Sequence, residues 1–142
     1  MTGRLDSLGH IKIQTLEDAT LLLQRVNGLV EQYALAVKRG QSTMTLIAAI
    51  RRTLPTLAEN LKNQFAAISE MITTLNLTTS RGASENIRVR ALREGVAQIK
   101  QAIDLATLHT RDRHTVHDED EEGEEGEEAG PDAASSEPKP SS

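Results

Sequence analysis

The sequence contains no cysteine and no tryptophan, and it has one phenylalanine, Phe65, and one tyrosine, Tyr33. The absence of cysteine excludes disulfide bonds and cysteine-ligated metal sites. Aromatic residues normally supply much of the buried area in a small domain, so this core must consist of Leu, Ile, Val and Ala. A small domain with thin aliphatic stripes is marginally stable alone, and stabilisation by a partner is expected.

Long apolar runs and glycine-rich loops are also absent. No stretch of about eighteen apolar residues occurs, so no membrane span is predicted. The charged stretch 1–12 lacks the apolar region of a signal peptide, which predicts a soluble protein of the cytosol or nucleus. Gly40 and Gly82 each stand alone, so no phosphate-binding loop is predicted.

Charge is divided unevenly along the chain. Residues 118–142 carry 11 acidic side chains and one lysine, a net charge of -10, whereas residues 1–117 carry 15 basic and 10 acidic side chains, a net charge of +5. Between 118 and 128, nine of eleven residues are acidic. Such a segment buries too little apolar surface to offset its chain entropy, so it is predicted to be disordered.

The strongest pattern is an apolar repeat with alternating spacings of three and four. Its first part consists of Leu16, Ala19, Leu23, Val26, Val30, Tyr33 and Val37. This spacing aligns the side chains in a seam along one side of a helix. Leu22, Leu29 and Ala36 form a second row, so the stripe is wide enough to touch two neighbours. Lys38, Arg39 and Gly40 then predict the end of the helix.

The second part of the repeat is longer and contains Ile47, Ile50, Leu54, Leu57, Leu61, Gln64, Ile68, Met71 and Leu75. Pro55 lies inside it, and proline either opens a helix or kinks one. Because the apolar frame passes Pro55 without a shift, one long helix over about 43–77, kinked near Pro55, is favoured over a helix that starts there. Gln64 is interpreted as an edge residue of the bundle or as a residue that fixes register with a partner.

A third helix is predicted from Ser84, a suitable N-cap, to about Thr110. Its seam consists of Val89, Leu92, Val96, Ile99, Ile103 and Ala106. The sequence thus predicts an all-α fold of three long helices, the second the longest, in an antiparallel bundle or incomplete bundle. The predicted organisation is a flexible N-terminal arm (1–13), a helical assembly domain (14–110) and a disordered acidic tail (111–142).

Helices of unequal length cannot cover one another fully, so an apolar strip is expected to stay exposed on the longest, second helix for other helical subunits or, as a second choice, for a second copy of the chain. The residues predicted to form this interface are Leu16, Leu23, Val26, Val30, Tyr33, Val37, Leu54, Leu57, Leu61, Ile68, Leu75, Leu92, Val96, Ile99 and Ile103.

Residues that carry chemistry are few, so no enzyme activity, catalytic residue, cofactor or metal site is predicted. No histidine lies in a seam, which disfavours a nucleophile–histidine–carboxylate triad. His109, His114 and His117 resemble a metal cluster in composition but are interpreted as a solvated linker. A group of arginines comprises Arg51, Arg52, Arg81, Arg88, Arg90 and Arg93. Without aromatic residues for base stacking, these arginines are expected to pair with acidic groups, and direct nucleic-acid binding is disfavoured.

Three segments resemble small helical subunits of the transcriptional Mediator head module, of the subunit eleven or twenty-two type. They are Leu16-Glu17-Asp18, Lys38-Arg39-Gly40, and the run from Ser84-Glu85-Asn86-Ile87-Arg88 through Ala91-Leu92-Arg93. The resemblance implies a non-catalytic nuclear subunit that shares a helical bundle with another subunit. Subunits of lysosome-positioning, kinetochore or vesicle-tethering complexes, some of them cytoplasmic, are alternatives. A different class is a histone-chaperone-like or nucleic-acid-associated module that uses the acidic tail.

Overall fold

A computed structural model describes residues 3–80 and 82–117. Its elements are β1 (Gly3–Leu5), α1 (Ser7–Lys38), α2 (Met44–Leu61), α3 (Ala66–Ser80), α4 (Glu85–His114) and β2 (Thr115–His117). The two short strands pair antiparallel, with Gly3 opposite His117. The all-α prediction is confirmed, but there are four helices instead of three. The acidic segment predicted to be disordered from 118 onward lies outside the described residues.

The helices form an antiparallel bundle in which each helix contacts its two neighbours in the order α1, α2, α3, α4. Along α1 and α4, Tyr33 contacts Arg88 near one end, and Gly9 lies against His114 near the other, which fixes the antiparallel direction. The α2–α3 hairpin is held by a buried hydrogen bond of 2.8 Å from Ser69 Oγ to the Ala58 carbonyl. This is the up-down-up-down arrangement of a four-helix bundle.

The prediction of one long helix over 43–77 is wrong. The chain reverses direction between α2 and α3, whereas the helix continues through Pro55. The backbone N–H of Lys62 bonds to the Glu59 carbonyl, and the N–H of Phe65 bonds to the Leu61 carbonyl at 2.7 Å, which closes a tight turn. Gln64 lies in this turn, so it is not a seam residue. The reversal lets both short helices pack their apolar sides against α1 and α4.

Pro55 lies inside α2, at an exposed position. It lacks a backbone N–H and therefore cannot donate the helical hydrogen bond to the carbonyl four residues earlier. On the exposed side of a helix that carbonyl can be hydrated, whereas the buried side keeps its packing. Leu54 and Leu57, on either side of Pro55, are both fully buried. Packing on this face explains why the helix continues through the proline.

The flexible N-terminal arm predicted for 1–13 is also corrected, because α1 already begins at Ser7. Asp6 caps the helix: its Oδ1 accepts a hydrogen bond of 2.6 Å from the Gly9 N–H. Ile13 is buried in the core. Likewise, α4 continues through residues 111–114, so the predicted start of the tail at 111 is wrong.

Both helix ends predicted from local chemistry are confirmed. The first helix ends at Lys38, and Gly40 adopts a positive φ of 67°, a left-handed conformation that glycine tolerates without strain. Ser84 caps the last helix, its side chain accepting a hydrogen bond from the Ile87 N–H. Short-range hydrogen bonding and backbone preference therefore set these two boundaries.

Arg88 joins three elements at the end of the bundle where α1 and α3 finish. Its guanidinium donates to the hydroxyl of Tyr33 on α1, at 3.2 Å, and to the carbonyl of Thr79 on α3, at 3.1 Å. Arg51 on α2 donates to the same carbonyl at 2.7 Å. Tyr33 and Thr79 are fully buried. The two cations therefore satisfy a buried carbonyl at the negative end of the α3 dipole.

Candidate partner-binding surface

The fifteen residues predicted to bind a partner are almost all internal. Fourteen of them are buried in the core of the single chain, and Val37 is partly buried against it. The seams of α1 and α4 are covered by α2 and α3, which pack on them as two short helices. The expectation that these seams stay open is therefore corrected: they are the core of the bundle, and an exposed apolar surface must be sought elsewhere.

Helix length decides where such a surface remains. Helices α1 and α4 have 32 and 30 residues, whereas α2 and α3 have 18 and 15. At 1.5 Å per residue, the long pair extends about 20 Å beyond the short pair. The loops joining α1 to α2 and α3 to α4 lie at one end of the bundle, so the overhang is at the other end. We call residues 3–15 and 105–117, which form this end, the foot.

Four large apolar side chains are exposed in the foot. Leu8 and Ile11 on α1 have 46% and 54% of their surface exposed, and Leu105 and Leu108 on α4 have 50% and 55%. Single exposed apolar residues are common on protein surfaces and need no special explanation. Four such residues within one short two-helix segment are more than scattered surface leucines, and they make the foot the candidate interaction site.

On α1, the exposed residue Leu8 belongs to a row of side chains that is partly covered further from the foot. Leu8, Thr15, Leu22 and Leu29 are spaced seven apart and therefore share one side of the helix. Leu22 and Leu29 pack partly buried against the core. The groove between α1 and α4 is lined from α1 by a different set, which includes Gln24. The row that contains Leu8 thus faces the α2 side, and α2 ends before it reaches Leu8.

The same relation holds on α4. Ala91, Gln98 and Leu105 are also spaced seven apart. Ala91 and Gln98 line a groove of about 490 Å³ between α3 and α4 together with residues of α3, whereas Leu105 lies lower on the same side of the helix. Leu105 therefore points towards the side from which α3 is missing. In the foot, α1 and α4 therefore share one face on which the places occupied elsewhere by α2 and α3 are empty.

Contacts between the start of α1 and the end of α4 hold the two helices of the foot together. Asp6 donates its backbone N–H to the His114 carbonyl at 2.9 Å, and the Asp6 carboxylate lies 3.3 Å from Nδ1 of His114. Gly9 is buried, and a Cβ placed there would lie 2.6 Å from the Cβ of His114. A side chain at position 9 would therefore force α1 and α4 apart. This close approach keeps the exposed apolar residues on a fixed support.

Asp6 makes the foot sensitive to acid. The Gly9 N–H, followed by His114, holds the pKa of the Asp6 carboxyl below its ordinary value of 3.8. The carboxylate therefore contributes stability that is present above pH 3.8 and is lost as the pH falls through the folded pKa. Asp6 is nearly half exposed, so we expect a loss of less than about 1 kcal/mol.

Thermal unfolding of Asp6→Asn at neutral pH and near pH 3 measures this contribution. Asparagine caps helices but does not titrate, so the variant should lose less stability than the wild type on acidification. Glu31→Gln is the positive comparison: the Arg93 side chain lowers the pKa of Glu31, far from the foot, so this variant should also lose less stability than the wild type on acidification. An identical acid response of wild type and Asp6→Asn would contradict this role.

The charged residues singled out in the sequence are largely engaged within the bundle. Arg51 and Arg88 bond to the Thr79 carbonyl, and Arg93 forms an exposed ion pair with Glu31 at 2.8 Å. Arg81 lies outside the described residues. Within the described ranges, no three His, Asp or Glu side chains are grouped closely enough to hold a metal ion. None of the described helices is both long and apolar enough to cross a membrane.

No family model matches the sequence, and searches of curated proteins and of solved structures find no match. The resemblance to Mediator head-module subunits stays a prediction.

Proposed function

We propose that this chain is a non-catalytic helical assembly subunit that binds another α-helical protein through the foot. One observation carries the proposal: Leu8 and Leu105 are exposed in the foot on the sides of α1 and α4 that face α2 and α3 in the rest of the bundle. Because helices fill the equivalent positions within the chain, a partner helix or helical hairpin fits the open positions with the same packing geometry.

The complex that contains this subunit is proposed from the sequence resemblance. A subunit of a transcription complex of the Mediator type, located in the nucleus, is the first choice. Subunits of lysosome-positioning, kinetochore or vesicle-tethering complexes are the alternatives. A nucleic-acid-binding role is less favoured, because Arg51, Arg88 and Arg93 are occupied by contacts within the bundle.

The double variant Leu8→Gln/Leu105→Gln tests the docking surface without changing charge. Both side chains are about half exposed and glutamine is a good helix former, so stability should change by less than about 0.5 kcal/mol per site. We expect partner recovery from native extract, quantified by mass spectrometry against the wild-type chain, to fall more than about tenfold.

Leu21→Gln is the matched control, since Leu21 lies on α1, is 66% exposed and is outside the foot. Partners that depend on the foot should be retained by this variant. The proposal is refuted if the double variant recovers the same partners as the wild type, or if Leu21→Gln loses them equally. The identity of the retained partners decides between the Mediator type of complex and the alternatives.

A further inference from the structure

A groove runs along the outside of the bundle between α3 and α4, and we call it the α3–α4 groove. Its floor is part of the core: Leu75 and Ile99 are buried there, and Met71 is half-buried. Gly95 on α4 lies against Leu75, and a Cβ at position 95 would lie 2.6 Å from the Leu75 side chain. The glycine therefore lets the two helices approach closely, while a space of about 490 Å³ stays open above them.

The charge of the α3–α4 groove is of one sign. Glu70 on α3 and Glu94 on α4 are exposed along it, and none of the described residues that line it is basic. Lys62, near Glu70, and Arg90 and Arg93, near Glu94, line neighbouring hollows. In the part of the chain that the structure describes, neither glutamate forms an ion pair. Both carboxylates are therefore available to a partner.

The groove on the other side of α4 is different. Between α1 and α4, Glu31 pairs with Arg93 at 2.8 Å and Asp104 pairs with Lys100 at 3.0 Å, and all four residues line that groove. Its charges are balanced within the chain, so it gives a charged partner little net attraction. The α3–α4 groove is thus the side of α4 whose charges select a partner.

The two glutamates lie on opposite sides of the α3–α4 groove at different heights. Helices α3 and α4 are antiparallel, and the contact between Leu75 and Gly95 places these two residues at similar heights. Glu70 is five residues nearer the foot than Leu75, and Glu94 is one residue further from the foot than Gly95. At 1.5 Å per residue, the two glutamates are about 9 Å apart along the groove, which is the rise of six helical residues.

We propose that the α3–α4 groove is a second docking surface, and that its occupant is a basic amphipathic helix of another protein. The apolar stripe of this helix lies on the floor formed by Leu75 and Ile99, and two lysine or arginine side chains six residues apart reach Glu70 and Glu94. Helices pack by fitting ridges of side chains into grooves of this kind. The lining spans residues 67–78 of α3, about 17 Å, which accommodates three helical turns.

This inference goes beyond the foot, because a partner in the α3–α4 groove lies on a finished core and fills no helix position of the bundle. The same carboxylates argue against other occupants. They repel the phosphates of nucleic acid and of anionic lipid surfaces. Two copies of the chain packed groove to groove would bring four glutamates together, and like charges brought together cost energy. A basic helix is attracted instead, and salt should weaken this attraction.

The test uses designed peptides of about five helical turns with fluorescent labels. The lysine peptide has an apolar stripe bordered by two lysines six residues apart, and the glutamate peptide has glutamates in their place. A third peptide contains the residues of the lysine peptide in scrambled order, without a stripe. Each peptide is titrated with the full chain and with the full-length variant Glu70→Lys/Glu94→Lys.

Glu17→Lys/Glu59→Lys is the matched control, because these two glutamates are exposed on α1 and α2 and do not line the α3–α4 groove. It makes the same change in net charge at other places. Residues 118–142 are identical in all the proteins, so any attraction of a peptide to their acidic groups cancels in the comparison.

We expect the lysine peptide to bind the full chain more tightly than either other peptide. Glu70→Lys/Glu94→Lys should weaken its binding about tenfold and should strengthen binding of the glutamate peptide, because two attractive contacts become repulsive and the reverse. The control variant should change either affinity by less than about threefold. Raising the salt concentration should reduce the affinity of the lysine peptide for the full chain.

Other outcomes overturn the inference. Equal effects of Glu70→Lys/Glu94→Lys and the control variant would mean that the attraction lies outside the groove. Equal binding of the lysine peptide and the scrambled peptide would mean that no apolar stripe is recognised.

The foot variant Leu8→Gln/Leu105→Gln separates this inference from the proposed function. It should leave the affinity of the lysine peptide unchanged, because neither residue lines the α3–α4 groove. Loss of binding in this variant, with no effect of Glu70→Lys/Glu94→Lys, would place the peptide on the foot. That result would overturn the second docking surface and leave the docking function of the foot intact.

Discussion

Leu57→Asp is expected to unfold the isolated chain rather than merely release a partner. Leu57 is fully buried on α2, within the cluster of apolar side chains that forms the core. The substitution removes a buried leucine and buries an unpaired charge, which together cost about 5 kcal/mol or more. A small domain has a total stability of only about 5–15 kcal/mol. Circular dichroism of the purified variant should show loss of most of its helical signal and no cooperative melt.

Leu21→Asp provides the matched comparison, because it places the same charge on an exposed position of α1. Its melt should stay within a few degrees of the wild type, since exposed substitutions change stability by about 0.5 kcal/mol or less. Ile99→Asp, buried on α4, should behave like Leu57→Asp. A folded, monomeric Leu57→Asp that has lost only a partner would contradict the internal core.

Arg88→Met is expected to destabilise the end of the bundle opposite the foot. Methionine keeps much of the apolar stem but leaves the buried hydroxyl of Tyr33 without its guanidinium donor, whereas the Thr79 carbonyl keeps Arg51. Hydrogen bonds from a charged group are worth about 1.5–3 kcal/mol. We expect a loss of about 2–3 kcal/mol, measured by urea unfolding.

Arg90→Met is the control for lost charge alone, because Arg90 is exposed two residues further along α4. It should change stability by less than about 0.5 kcal/mol. Arg88→Met together with Tyr33→Phe should cost less than the two single changes added together, because the paired groups are then removed together. Equal effects of Arg88→Met and Arg90→Met would show that Arg88 does not join the helices as described.

Local chemistry predicted helix ends well but did not reveal the turn between α2 and α3. The Gly40 ending and the Ser84 cap depend on backbone preference and short hydrogen bonds, which the sequence displays directly. The turn escaped detection because Leu61 and Ile68 are seven residues apart, a spacing that matches two helical turns and hides the reversal. Asn60 and Asn63, both poor helix formers, were the available signal.

The start of α1 was also placed too late, although a signal was present. Asp6 is a favoured N-cap residue, and Leu8 and Ile11 have helical spacing directly after it. These apolar residues are exposed, so they do not continue the buried seam from which the helix was recognised. The sequence therefore places Leu8 and Ile11 in a segment interpreted as an arm, whereas Leu105 and Leu108 fall within the predicted helical domain.

The reasoning that unequal helices leave an apolar strip applies to the foot, but the strip expected on the second helix lies instead on α1 and α4. Its position depends on how far α2 and α3 extend along α1 and α4, and this follows from a turn that the repeat conceals. Seam residues such as Val26 and Ile103 are apolar whether they face a partner or a neighbouring helix of the same chain. Composition alone does not distinguish these two environments.

Dilution tests most directly whether the chain completes its own core and leaves helix positions open only in the foot. Urea unfolding of the wild-type chain, followed by circular dichroism over about a hundredfold range of protein concentration, should give one cooperative transition with a constant midpoint. A midpoint that falls steadily on dilution would mean that the seams pair between chains, and it would contradict the internal bundle from which the foot is defined.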